Sequence, residues 1–300
     1  MRFGQARQSL ALVYPQMALM KKIAAVQMRV ALGDCESNLR RIASFLEATA
    51  AQGARLTVFP ECALTGYCFR GLDEARPYAQ PIPGSSTGQM AAVCRRLGTW
   101  AVCGLLELEG DRVYNSCVLI GPQGLAASYR KIHLPFLGVD RFTTHGNRPF
   151  AIHDADGIRV GMNICYDGAF PESARIMALQ GADLVVLPTN WPEGLDCVAN
   201  CVPAARAMEN HIFYLAVNRV GVERGVRFIG MSRICAPGGR VVAEAMHDRE
   251  AVLYADLDVD LARNKHVVRT PGENEINRIK DRRPEMYGLI AANGELQAVR

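Results

Sequence analysis

Short apolar runs recur along the chain, each stopped by glycine, proline or a charged residue, and stretches with helical spacing lie between them. Ile23-Ala-Ala-Val-Gln-Met28 reads as a first buried strand, and Asp34 as the cap of a helix whose apolar face carries Leu39, Ile42, Phe45 and Leu46. Leu56-Thr-Val-Phe59 is a second strand, stopped by Pro60, which leaves Glu61 at its carboxyl end. After a loop rich in glycine and proline, Ser86 or Thr87 caps a helix running to about Leu97. Strands follow at 99–108, 112–120 and 125–132, and Lys131 closes the last of them. Strands at 149–153 and 158–164 flank the turn Asp154-Ala-Asp-Gly157 and form a hairpin that leads into Cys165. Pro171 then opens a helix over 171–180, followed by a strand at 184–187 and a helix over 197–210. Strands at 212–219, 228–235, 240–246 and 251–257 complete the second half, and the residues from Asp260 onward are polar and irregular. This order predicts an α/β protein of two mixed sheets with helices outside them.

Composition narrows the picture. At 300 residues, 49% of them hydrophobic and 21% charged, with no compositional break, the chain suits one globular domain over 21–300 with a C-terminal arm from about 260. Residues 1–20 carry Arg2 and Arg7 ahead of Leu10-Ala-Leu-Val-Tyr14, but Pro15 interrupts that run, so they read as a disordered extension rather than a signal peptide. A net charge of +4 without blocks of like charge predicts neither a nucleic-acid nor a membrane partner. No apolar run reaches the roughly 18 residues a membrane span needs. The ten cysteines are scattered, with no C-x-x-C pairs and no histidine spacing for zinc, so the expectation is a reduced, cytoplasmic chain without a metal.

Candidate chemistry gathers at three strand ends: Glu61, Lys131 and Cys165. Cys165 sits where a strand turns into a helix, a place where ligands bind in open α/β sheets and where the helix N-terminus favours a thiolate. A buried core cysteine is the other reading of that position. Lys131 is the sole lysine between Lys22 and Lys265 in a chain with 34 basic residues, which points to a need for a compact ammonium; a surface lysine is the alternative. The three residue types together suit acyl transfer through a thioester. Glu61 would take the thiol proton, while Lys131 would favour the thiolate and, with the backbone N–H of Tyr166, hold the oxyanion. Tyr67, Phe136 and Trp191 lie beside these segments and line the substrate pocket or simply pack there.

At these residues the sequence resembles the nitrilase or carbon-nitrogen hydrolase superfamily. The motifs that carry the resemblance are Phe59-Pro-Glu61 with Leu64-Thr-Gly-Tyr67, Tyr129-Arg-Lys131-Ile-His-Leu-Pro135 and Asn163-Ile-Cys165-Tyr-Asp-Gly-Ala-Phe-Pro171-Glu172. Leu187-Pro-Thr-Asn-Trp191 and Arg206-Ala-Met-Glu-Asn210 are similar too, so the likeness runs from about Ile23 to about Asp258. It implies a four-layer α-β-β-α sandwich, a Glu-Lys-Cys triad, no cofactor, and dimers or larger homo-oligomers. Cys165-Tyr-Asp resembles the amidase and carbamoyl-amidase branches, which implies hydrolysis of a small amide or N-carbamoyl compound. Members carry a second glutamate between the lysine and the cysteine, and here Asp140 stands in the best-aligned position.

Other readings remain open on sequence alone. Nitrile hydrolysis by the same triad is one, and a catalytically silent binding or assembly subunit of the same fold is another. Gly84-Ser-Ser86-Thr-Gly88 matches a serine-hydrolase elbow but follows no buried strand. His133 reads as a pocket or core residue, and Arg206 with Glu209 as a structural pair at i and i+3.

Overall fold

The computed structural model describes residues 20–290, so the predicted N-terminal extension lies outside the described residues except for Met20. The first half of the chain forms β1 (Lys21–Gln27), α1 (Cys35–Ala51), β2 (Leu56–Val58), the short α2 (Leu72–Ala75), α3 (Ser85–Leu97), β3 (Trp100–Glu109), β4 (Arg112–Gly121) and β5 (Gly124–Arg130). The second half begins with β6 (Ile152–Ala155), β7 (Ile158–Met162), α4 (Pro171–Leu179), β8 (Leu184–Thr189), α5 (Asp196–Asn210) and β9 (Phe213–Asn218). A hairpin of β10 (Val220–Glu223) and β11 (Val226–Ile229) precedes β12 (Ser232–Cys235), β13 (Val241–Ala245) and β14 (Ala251–Leu257). The arm then holds α6 (Val259–Arg263), β15 (Val267–Thr270) and β16 (Asn274–Ile276).

Two six-stranded mixed sheets result, ordered β14-β1-β2-β3-β4-β5 and β13-β12-β9-β8-β7-β6. Each has three parallel strands at its heart, β1–β2–β3 and β7–β8–β9, with antiparallel partners on both sides. The period of two explains why both faces of each sheet are apolar. On β4, Cys117 and Leu119 point into the core shared by the two sheets, whereas Val118 and Ile120 pack under α1 and α3. On β1, Ile23 and Ala25 take the shared core and Val26 the helix side. The expected layering of helix, sheet, sheet and helix is therefore present, with α4 and α5 covering the second sheet. Asp34 caps α1 as expected, accepting from the Ser37 N–H at 3.0 Å.

Three expectations need correction. The strand expected at 228–235 is cut in two because Gly230 and Met231 take positive φ (66° and 59°), which sends β10 and β11 out of the sheet as a separate hairpin. The arm after Asp260 is not irregular throughout, since Asp258 caps α6 and β15 pairs with β16. Gly84, rather than Ser86 or Thr87, caps α3; the Thr87 hydroxyl closes the turn by bonding back to Gly84 at 2.8 Å. Among the described residues no helix is long and apolar enough to cross a membrane.

Candidate active site

The carboxyl ends of β2, β5 and β7 meet between the sheets. Pro60 ends β2 and Cys62 adopts a left-handed φ of 49°, which turns the Glu61 carboxylate inward to complete burial. Gly104 on β3 permits that turn: a Cβ there would lie 2.4 Å from the Cys62 nitrogen and 2.8 Å from the Glu61 Cα. Lys131 follows β5 directly and is also fully buried, its Nζ donating to Glu61 Oε1 at 2.7 Å and to Asp140 Oδ2 at 2.5 Å. Asp140 reaches it from a single 3-10 turn, Gly138–Arg141.

Two residues organise these three charges. Asn115, on β4, donates through Nδ2 to Glu61 Oε1 at 2.7 Å and to Asp140 Oδ1 at 2.8 Å. Its Oδ1 faces the Cys62 thiol at 3.6 Å, which fixes the amide's orientation. The Tyr67 hydroxyl lies 2.8 Å from Asp140 Oδ2. Both Asp140 oxygens are thus occupied, as is Glu61 Oε1, while Glu61 Oε2 is buried without a partner. Burial raises the Glu61 pKa above the ordinary glutamate value, and the Lys131 ammonium only partly offsets that. Burial alone would lower Lys131, but Asp140 and Glu61 outweigh it and hold the amine well above its usual value, so it is a cation at neutral pH.

Cys165 stands directly after β7's extension, at a φ of 45°, opening a 3-10 turn over Cys165–Ala169. Tyr166 is the second residue of that turn, where a backbone N–H has no intrahelical acceptor. Arg206 on α5 secures the turn's far end, donating to the carbonyls of Gly168 and Ala169 at 3.1 and 3.2 Å and pairing with Glu209 at 3.0 Å. Burial, followed by the Glu61 carboxylate, pushes the thiol up to about 12, against the opposing pull of Lys131. Burial and the Glu61 charge thus oppose the expected thiolate more strongly than the Lys131 ammonium favours it.

The expected pocket residues fall in three different places. Tyr67 is buried and its hydroxyl is bonded to Asp140. Trp191 is 2% exposed within the shared core. Phe136 is 85% exposed, with the Arg141 guanidinium 4.6 Å from its ring centre. His133 stacks on Phe170 with ring centres 3.7 Å apart. Sequence reasoning missed Asn115, and it quoted Thr189 and Asn190 within a motif without giving them a role. Thr189 and Asn190 are fully buried, and the Thr189 hydroxyl and both polar atoms of the Asn190 side chain have no partner among the described residues. Asn115 could have been found: an asparagine inside an apolar run is a poor strand former and calls for a reason.

Comparison with known proteins identifies the family. The family model described as carbon-nitrogen hydrolase matches residues 22–266. A protein named nitrilase from Pyrococcus abyssi is 39% identical over 270 residues, covering 89% of this chain and 99% of the relative. An (R)-stereoselective amidase from Pseudomonas sp. is 35% identical, covering 89% of this chain and 93% of its own length. Among solved structures, an amidase variant from Nesterenkonia sp. AN1 superposes with a TM-score of 0.71 at 26% identity, covering 82% of this chain and 94% of that one. That structure carries the acetamide moiety of fluoroacetamide added covalently at its active-site cysteine. The chain belongs to the carbon-nitrogen hydrolase family, and it is a hydrolase of that class.

Proposed function

We propose that this hydrolase cleaves small amides or N-carbamoyl compounds through a thioester on Cys165, with Glu61 as the base and Lys131 as the oxyanion donor. The observation that carries the reading is the division of labour between the two acids. Asp140 has no free oxygen and serves to hold Lys131. Glu61 keeps one unpartnered oxygen and a raised pKa, the properties of a group that accepts a proton near neutral pH.

The steps follow from those properties. The Cys165 thiol passes its proton to Glu61 as sulfur attacks the amide carbon, so no free thiolate has to be stored. The oxyanion forms against the Lys131 ammonium and the Tyr166 N–H, each worth about 3–4 kcal/mol in the transition state. Glu61 returns the proton to the departing ammonia, then takes one from the water that hydrolyses the thioester to the acid. A nitrile would be attacked by the same thiol, and the Pyrococcus relative's name keeps that reading in play.

Ammonia release from a panel of primary amides, N-carbamoyl compounds and nitriles tests the proposal. The expected result is turnover of an amide or carbamoyl compound. The rate should fall on acidification through a pKa above the ordinary glutamate range, because protonating Glu61 removes the base. Turnover of nitriles alone would select the second reading, and no turnover of any class would favour a silent binding subunit.

The chain is also proposed to assemble with itself. Ile176 and Leu179 on α4 are 40% and 45% exposed and Ile290 in the arm is 65% exposed, all three lining one groove between α4 and the arm. Apolar exposure of this extent suits an interface. Sedimentation at micromolar concentration is expected to give at least twice the 32.8 kDa of one chain, and a monomer would overturn the assignment. Ten unbridged cysteines suit a reducing compartment, and the cytoplasm is the proposed location.

A further inference from the structure

We infer that Asp167 is a positioning residue whose carboxylate sets the distance between Lys131 and Cys165. The inference rests on the Glu61, Lys131 and Cys165 chemistry proposed above. Lys131 and Cys165 are delivered by different sheets, through β5 and β7, and no backbone hydrogen bond of either sheet fixes one against the other. Asp167 joins them. Its Oδ1 accepts from the His133 N–H at 3.1 Å and from His133 Nδ1 at 2.8 Å. Its Oδ2 accepts from the Tyr129 hydroxyl at 2.8 Å and from the Ile164 N–H at 3.0 Å.

The spacing of these partners is what gives the contacts a functional meaning. Tyr129 lies two residues before Lys131 and His133 two residues after it, so the carboxylate grips the lysine segment from both sides. Ile164 directly precedes Cys165 and Asp167 follows it by two, so the same group also closes the turn that holds the nucleophile at its positive φ. Asp167 has no exposure and, among the described residues, no Lys or Arg partner, and its carboxylate's hydrogen bonds all come from the two segments it joins. With both oxygens occupied it is not placed to exchange protons with a substrate. What remains is geometry: an oxyanion donor misplaced by about 1 Å forfeits on the order of a hundredfold in rate.

A purely structural carboxylate would stabilise the fold without acting through Lys131, and a double-mutant cycle separates the two roles. Single-turnover acylation by an activated ester is measured for wild type, Asp167→Asn, Lys131→Ala and the double variant, together with kcat and KM. Asparagine keeps the shape but turns an NH2 toward groups that donate. Asp167→Asn is expected to lower kcat about a hundredfold with little change in KM. In the Lys131→Ala background the same change should cost at least about fivefold less than in wild type, because the share that acts through the ammonium is gone and only the share that acts through the Cys165 turn remains. Tyr129→Phe removes one tether on the lysine side and leaves the Ile164 bond, so it decides the matter should Asp167→Asn fail to fold; a loss of roughly tenfold in kcat is expected. Folded variants within twofold of wild type, or losses that multiply in the cycle, would overturn the inference. Wild-type turnover in Lys131→Ala would instead overturn the triad assignment on which it stands.

Discussion

Cys165→Ala is expected to abolish turnover, by about 10⁴-fold or more, while the protein melts close to the wild-type temperature. Alanine keeps the Cβ, so the strain of the 45° φ is unchanged, and only one sulfur atom leaves a site that is already 8% exposed. Wild type treated with a slow ester or amide should gain one acyl mass on the peptide containing Cys165. The informative rival is Cys62. It neighbours Glu61 in sequence and has a similar φ of 49°, so motif and backbone alone do not dismiss it. Its thiol is fully buried and directed at Asn115 Oδ1, and burial followed by the Glu61 and Asp140 charges pushes its pKa well above the usual thiol value. An adduct on Cys62, or turnover surviving in Cys165→Ala, would transfer the nucleophile's role away from Cys165.

Much of the fold was legible in the sequence because the strands are buried on both faces and read as continuous apolar runs. Glu61, Lys131 and Cys165 stood out since each is a polar residue at the end of such a run. What stayed hidden depends on contacts between distant segments. The hairpin of β10 and β11 stayed hidden because its strands are only four residues long and carry Glu223 and Arg227, and because the break after β11 is made partly by backbone conformation at Met231, which is no turn signal. The upward push on the Cys165 thiol was hidden for a related reason. A helix start and a lysine are visible in sequence and both favour a thiolate, whereas the burial that outweighs them arises only when two sheets close over the turn. Asp167 likewise looks like a motif residue until Tyr129 and His133 are brought against it across the sheets. Asp140, suggested by alignment with a family pattern, gains a physical role only from the bonds that Tyr67, Asn115 and Lys131 make to it.

Lys131→Arg is expected to retain less than a tenth of the wild-type kcat, with KM much less affected. In a chain with 34 basic residues and only five lysines, arginine is the ordinary choice of cation, so a mild effect would be the natural expectation were charge all that mattered. The structure argues otherwise. Nζ is fully buried between Glu61 at 2.7 Å and Asp140 at 2.5 Å, and the loop carrying Gly146 is tied over the segment by a bond to the Lys131 carbonyl at 2.8 Å. That loop has no slack, since a Cβ on Gly146 would meet the Arg130 carbonyl oxygen at 2.2 Å. A guanidinium is longer, planar and spreads its charge over a fork, so it would satisfy the two carboxylates bidentately and direct less charge at a tetrahedral oxygen. The deficit belongs in kcat because the donor's bond strengthens as charge develops on the substrate oxygen. Overpacking should cost about 1–3 kcal/mol of stability, which a typical domain of 5–15 kcal/mol survives folded. Measuring kcat, KM and the melting temperature together separates these effects, and a folded variant with more than about a tenth of wild-type kcat would remove Lys131 from the oxyanion site.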